Sequence, residues 1–475
     1  MMADLKPYPA YKDSGLAWLG RVPEHWNVRP AFGAFVPNRE RNFGMKVKTV
    51  LSLSYGRIVV KPPEKLHGLV PESFETYQIV NPGDIVVRTT DLQNDHTSLR
   101  IGMVRDRGII TSAYLALRLQ GGVSSDFGFQ FLSVWDASKA IYGYGSGLRQ
   151  SLGFSDFKRM PVAVPLPEEQ AAIVRFLDWA NARLERTIRA KRRVIALLTE
   201  QKQAIIHRAV TRGLDPAVPL KPSGIAWLGD IPAHWEVRRL KFATERIVDC
   251  LHATPNYSES GEHPAIRTAD ISPGIVHLTK ARKISAAEYT LWTARMEPRK
   301  GDILYSREGE RFGIAAVVPD GVRLCVSQRM MVFRVAPGFC PHFLMWLLNS
   351  KPTYGQALQD VMGSTAPHVN ISTIKNYFLA MPDKQEQEAI VKHLELETSV
   401  IDTPIARLQR EIDLLREYRT RLVADVVTGK LDVREAAAVL PQDELLSAIE
   451  PDALDADDDL DALDEVETVD EETAT

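Results

Sequence analysis

The 475 residues are 45% hydrophobic and 25% charged, enough for sizeable cores in about three domains' worth of chain at roughly 150 residues each. Cys250, Cys325 and Cys340 have no CxxC spacing and no nearby histidine pair, which argues against a disulfide framework or structural zinc site and fits a reducing cytosol. The net charge of −3 conceals an asymmetry: after Gln442 there are 15 acidic residues and no Lys or Arg, leaving 58 basic against 46 acidic residues before it, a net of +12 compatible with a polyanionic partner.

Met1 to Asp13 has no apolar signal-like run, and no stretch approaches the ~18 apolar residues of a membrane span, so a cytoplasmic location is expected. Lys12 to Arg29 reads KDSGLAWLGRVPEHWNVR, and Lys221 to Arg238 reads KPSGIAWLGDIPAHWEVR, identical at 12 of 18 positions. The chain is therefore a duplication. Short apolar runs bounded by turn signals follow in each copy: Ile58–Val60 before Pro62-Pro63, Asp84–Val87 after Pro82-Gly83, and Ile314–Val318 before Pro319-Asp320-Gly321. These predict strands, with helical stretches such as Phe339–Asn349 between them. Gly83-Asp84-Ile85 recurs as Gly301-Asp302-Ile303, whereas the interiors Pro30–Val164 and Arg239–Met381 otherwise diverge.

From Glu168 to about Arg212, and from Lys384 to about Thr428, the pattern becomes helical. Leu177, Leu184, Lys191, Leu198 and Ile205 fall seven apart, as do Leu394, Ile401, Leu408, Leu415 and Leu422. A second row, Ile188, Ile195, Lys202 and Ala209, matches Ile405, Ile412, Arg419 and Val426, so both helices place one cation at the same core slot. Two such helices can pack as an antiparallel coiled coil. Pro404, with Asp402 or Thr403 as N-cap, is expected to start a new helix or kink this one. The stretch from Pro404 to Thr428 would be about 37 Å long, a possible ruler near one turn of B-DNA. The acidic tail reads as disordered.

No catalytic constellation is found. There is no GxxxxGK[ST] phosphate loop, Gly143-Tyr-Gly-Ser-Gly147 lacks the strand–helix setting of a nucleotide site, and no metal or cofactor set is recognisable. Pro382-Asp383 with Glu386 and Glu388 reads as a helix start, as does Pro165-Leu-Pro167-Glu-Glu169. His25 and His234, in Pro-x-His-Trp, read as packed loop histidines with no partner acid spaced with them. Candidates for base readout lie after the Gly-Asp-Ile strand: Arg88, Thr89, Thr90, Asp91, Gln93 and Asn94 in the first copy, and Arg307, Glu310 and Arg311 in the second. A second pair of polar loops contributes Arg149 and Gln150 against His368. Arg189, Lys191, Arg192 and Arg193 form a basic cluster on the first long helix, either a solvated face or a lining for DNA.

An SGxxWLGxxPxHWxVxxLK-like opening, a divergent domain ending in a proline-rich strand, and an EQxxIVxFLD-like helix ending near TxGLD, all present twice over residues 12–432, closely resemble the specificity subunit of type I restriction-modification systems. Ser223–Gly229 through Lys241, Glu386-Gln387 with Ile390-Val391, and Val426–Asp432 carry the match. The first copy departs at Arg29-Pro30, where an Arg-Leu-Lys-like start is expected, and at Val210–Asp215, where the glycine is permuted. The resemblance implies an α+β protein with two α/β target recognition domains (12–165 and 221–382) in tandem duplication. Two helical spacers (166–215 and 383–432) would join them as an antiparallel coiled coil, followed by an acidic tail (433–475). It also implies a non-catalytic reader of double-stranded, bipartite asymmetric DNA. The partners would be two adenine methyltransferase subunits and restriction/translocase subunits, with S-adenosylmethionine, ATP and magnesium bound elsewhere and no cofactor on this chain. The rival readings are a coiled-coil scaffold without DNA readout and the recognition half of a nuclease or methyltransferase.

Overall fold

The computed structural model describes residues 5–62, 73–90, 92, 99–143, 152–309, 311–359 and 368–441. The chain divides into two compact units, the first drawing on two separated stretches of sequence, 1–191 and 410–475, and the second on one continuous stretch, 192–409. The acidic residues from 443 onward lie outside the described residues.

In the first unit the frame begins with β1 (Asn27–Pro30) and β2 (Phe35–Pro37), followed by β3 (Ile85–Val87), β4 (Ile101–Met103) and β5 (Leu115–Leu119). Helix α1 (Ser125–Ala137), β6 (Pro161–Val164) and the long α2 (Pro167–Arg212) complete it. The sheet order is β2-β5-β3-β4, antiparallel throughout, and β6 pairs with β1. Pro30, which interrupts the expected strand start, faces Pro161 at the end of that pairing, where neither residue has an N–H to lose.

The second unit repeats this frame with β7 (Glu236–Arg239), β8 (Thr244–Asp249), β9 (Ile303–Ser306), β10 (Ala315–Val317) and β11 (Met330–Val335). Helix α3 (Pro341–Leu348), β12 (Phe378–Met381) and the long α4 (Lys384–Val427) follow. Its sheet order is β8-β11-β9-β10, and β12 pairs with β7. The topology of the two sheets is the same strand for strand, although their sequences share little.

Within each unit, segments of α2 and α4 pack side by side. In the first, Glu185 pairs with Arg419 (3.1 Å) and Lys191 with Glu411 (2.5 Å); in the second, Lys202 pairs with Asp402 (2.6 Å). Partner numbers rise on one helix as they fall on the other, so the helices run antiparallel. The two cations at the repeated core slot, Lys202 and Arg419, each meet the acid that the duplication places on the opposite helix, Asp402 and Glu185. Leu177, Leu184, Leu394, Ile401 and Leu422 are buried, whereas Leu198, Ile205, Leu408 and Leu415 are half-buried.

Pro404 does not start a new helix: α4 is one element of 44 residues running through it. Proline removes the N–H that would reach the Val400 carbonyl, and Val400 is 70% exposed, on a face where water can satisfy that oxygen. Asp402, the expected cap, pairs with Lys202 instead. Past α4, helix α5 (Arg434–Ala438) places Val433, Ala437 and Leu440 in the core of the first unit.

Candidate nucleic-acid interface

The repeated Gly-Asp-Ile landmark is a turn that aims β3 and β9 identically. Gly83 and Gly301 sit at φ +90° and +85°, a region open to glycine. The following aspartate closes the turn by accepting a backbone N–H, Asn81 to Asp84 and Arg299 to Asp302, both at 2.9 Å. It also holds an arginine of the strand beside it in the sheet, β5 or β11: Arg118 lies 3.3 Å from Asp84, and Arg334 lies 3.1 and 2.8 Å from Asp302. Burial pushes the Asp84 carboxyl up, opposed by the Asn81 N–H and Arg118. The other repeated landmark, Gln170 and Gln387, is equally structural. Each donates to the proline carbonyl before its helix (Pro165, Pro382) and accepts the N–H of Ser124 or Cys340, the residue that opens α1 or α3.

On this frame the divergent segments come together. In the first unit Arg88 is half-buried, Thr89 is buried and donates to the Ala113 carbonyl, and the Leu152 N–H donates to the Thr89 carbonyl at 2.9 Å. In the second unit the Val369 N–H donates to the Arg307 carbonyl at 3.3 Å, and Glu308 and His368 form an antiparallel bridge. The residues after the Gly-Asp-Ile strand thus meet the far end of the second polar loop in both units, through the same backbone contact. Thr90 and His368 are half-buried, and Arg311 is exposed while donating to the Ile271 carbonyl. Asp91, Gln93, Asn94, Arg149, Gln150 and Glu310 lie outside the described residues.

Arg307 is 7% exposed and turned inward, 3.5 Å from Asp249 and paired with Glu308. Asp249 also holds His252 at 3.0 Å. Asp249, His252 and the buried Arg100 were not singled out from sequence. Asp249 ends a strand and Arg100 precedes one, and no repeat marks either. In the helical cluster, Lys191 is engaged with Glu411, Arg189 and Arg192 are half-buried, and Arg193 is exposed.

The Pro-x-His-Trp histidines do have partner acids, supplied from 144 and 152 residues away. His25 meets Glu169 and His234 meets Glu386, each at 2.8 Å. Glu169 also accepts from Tyr8 (2.6 Å) and Trp26 (2.9 Å). Burial, and after it the hydrogen bond to Glu169, pushes the Tyr8 hydroxyl far above the usual phenol range. With its carboxylate occupied by three donors and 4% exposed, Glu169 ties the unit together rather than serving a reaction. Among the described residues there is no group of three His, Cys, Asp or Glu able to hold a metal, and no helix long and apolar enough to cross a membrane.

Residues 235–404 match the family model of the type I restriction modification DNA specificity domain. The chain is 25% identical over 279 residues to the type I restriction enzyme EcoBI specificity subunit of Escherichia coli, covering 56% of this chain and 58% of that protein. It is 22% identical over 286 residues to the EcoKI specificity subunit of Escherichia coli strain K12, covering 58% and 59%. Over these stretches the chain is similar to type I specificity subunits. These alignments span about three fifths of the length of both relatives. A solved structure concerned with complex assembly and conformational transition of the type I R-M system shares its fold with this chain. Its TM-score is 0.57 at 15% identity, over 86% of this chain and 99% of that one.

Proposed function

We propose that this chain reads a split, asymmetric site on double-stranded DNA, each unit presenting its pair of divergent loops to one half of the site. It does so without chemistry of its own, and it recruits two adenine methyltransferase subunits and, for cleavage, ATP-driven restriction/translocase subunits. Residues 12–165 and 221–382 are the two target recognition domains in this reading, and 166–215 and 383–432 the helical spacers. Arg88, Thr89, Thr90, Arg307, Arg311 and His368 are its described reading candidates, of which Thr89 and Arg307 are buried in the free chain, and the exposed Arg193 a phosphate contact.

One repeated contact carries the reading. Leu152 to Thr89 and Val369 to Arg307 join two polar segments at the same point of the same frame, and those segments are where the copies differ. A fixed frame with exchangeable loop pairs is what two different half-sites require, since base edges are read by a few side chains on short exposed segments. The +12 charge before the tail supplies the phosphate attraction.

The test is selection from a library of random duplexes by the full-length chain with its methyltransferase partner, followed by a salt titration on the selected site. Two short defined elements separated by an unread spacer are expected. Affinity should fall roughly a thousandfold or more between about 50 and 200 mM salt if six or more phosphates are contacted. A flat salt response, or selection of a single continuous element, would overturn the reading.

A further inference from the structure

We infer that Arg100 is a positioning residue for DNA readout by the first unit: its buried guanidinium braces the backbone that leads from β3 into the reading loop. This rests on the proposed function and names a residue through which that function is set.

Arg100 is fully buried. Its Nη1 donates to the carbonyls of Arg88 (3.3 Å) and Thr90 (2.8 Å), two residues of the segment that follows β3. Its Nε donates to the Tyr142 hydroxyl at 3.3 Å, and its guanidinium carbon lies 5.5 Å from the centre of the Tyr142 ring. Tyr142 belongs to the turn Ala140–Gly143, just before the second polar loop. The Arg100 N–H in turn donates to Asp136 (2.7 Å), at the end of α1. One side chain therefore links the start of the first polar loop to the approach of the second, and its backbone anchors both to the helix.

The frame does not need an arginine there. Arg88 N–H donates to the Arg100 carbonyl, and in the second unit Ser306 N–H donates to the Ile314 carbonyl at the same place in the sheet. Isoleucine occupies that position, beside a helix anchored instead by Asn349, whose side chain donates to and accepts from the Ala315 backbone. An apolar residue thus suffices for the strand, whereas burying a guanidinium is unfavourable unless its donors are satisfied. Here they are satisfied by carbonyls of the segment that carries Arg88, Thr89 and Thr90. The planar fork can reach two carbonyls and a hydroxyl at once, which a lysine ammonium on a single point cannot reproduce.

The test repeats the duplex selection with full-length Arg100→Met, Arg100→Lys and Tyr142→Phe beside the wild type, with Arg311→Ala as the control in the second unit. Arg100→Met should flatten one half of the selected element, lowering discrimination there by roughly tenfold or more, the scale of one misread base pair. The other half should stay unchanged. Arg100→Lys should recover part of the loss, and Arg311→Ala should flatten the opposite half. Tyr142→Phe keeps the ring and removes one acceptor, so it should give a smaller loss in the same half as Arg100→Met, and it stands in if Arg100→Met does not fold. Equal losses in both halves, or unchanged selection by folded Arg100→Met or Tyr142→Phe, would overturn the inference. A wild type that selects no element at all would instead overturn the proposed function beneath it.

Discussion

Replacing Glu169 and Glu386 with alanine should have very different consequences, although the duplication places them at the same position. Glu169 accepts from Tyr8, Trp26 and His25, with Tyr8 3% and Trp26 0% exposed. Removing the carboxylate strands two buried donors, each costing about 1–3 kcal/mol, so Glu169→Ala should destabilise the first unit by about 2–6 kcal/mol. Among the described residues the Glu386 carboxylate pairs only with His234, and the pair is 26% and 50% exposed. The Trp235 indole N–H has no hydrogen-bond partner among the described residues, so it loses nothing when Glu386 goes. An ion pair that exposed contributes about 0–1 kcal/mol. Scanning calorimetry of the full chain reads the difference. At about 2–4 °C per kcal/mol for a unit of this size, Glu169→Ala should lower its transition by roughly 4–24 °C and Glu386→Ala by no more than about 4 °C. Glu169→Gln keeps an oxygen for Tyr8 and Trp26 and should fall between them. Equal shifts for the two alanine variants would refute the reasoning, because they would mean that the three-donor arrangement contributes no more than a surface pair.

The glycines that end the long helices offer a second contrast. Gly213 and Gly429 share φ near +75°, but a Cβ on Gly429 would stand 2.3 Å from Pro23 Cδ, whereas on Gly213 it meets the movable Glu386 carboxylate at 3.2 Å and Trp235 Cζ2 at an ordinary 3.4 Å. Gly429→Ala should cost about 1–3 kcal/mol more than Gly213→Ala in denaturant titrations, by overpacking added to the shared strain. Charge reversal across the helix pair, Lys202→Glu or Asp402→Lys, should each destabilise by up to about 1 kcal/mol, with the double variant restoring most of it; a double variant worse than either single would show that the pair does not form. Burial pushes the Cys325 thiol up to about 12 and the Cys250 thiol up as well, while Cys340 is only partly buried. Since the thiolate is the reacting form, iodoacetamide at pH 8 should label native Cys340 well before the other two, and all three after unfolding. Rapid native labelling of Cys325 by mass spectrometry would contradict the closed cluster it forms with Ala265, Ile284, Tyr289 and Trp292.

The frame was legible wherever the duplication wrote the same residue twice. Gly83-Asp84 and Gly301-Asp302, and Gln170 and Gln387, each hold the same turn or cap in both units, and the Trp26 and Trp235 backbone N–H groups donate alike to the Pro23 and Pro232 carbonyls, because these positions are constrained by backbone geometry common to both. The heptad rows were legible because their period is that of the helix. What stayed hidden depends on partners far away in sequence. Nothing near His25 announces Glu169, and nothing near Arg100 announces the carbonyls of Arg88 and Thr90. Of the two outcomes expected at Pro404, a new helix start does not occur: the carbonyl it orphans lies on an exposed face of a packed helix, where water can satisfy it. Of the reading candidates, Arg307 proved to be turned inward because Asp249, at the end of β8, lies beside it, a neighbour that only the sheet order supplies.

The first unit is assembled from both ends of the chain: Leu422, Val426, Val427, Val433 and Leu440 share a core with Trp26, Phe127 and Leu177, and Asp432 N–H donates to the Lys6 carbonyl. During synthesis its two parts therefore emerge far apart in time, separated by the whole of 192–409. At roughly 5–20 residues per second that interval is about 11 to 44 seconds. The unit begun first is the one finished last, and until α4 is complete its tryptophan-rich core stands open. A ribosome that stalls, or a message truncated before residue 422, would release a second unit able to close beside a first that cannot, leaving the cell with an apolar surface for chaperones or proteases to find.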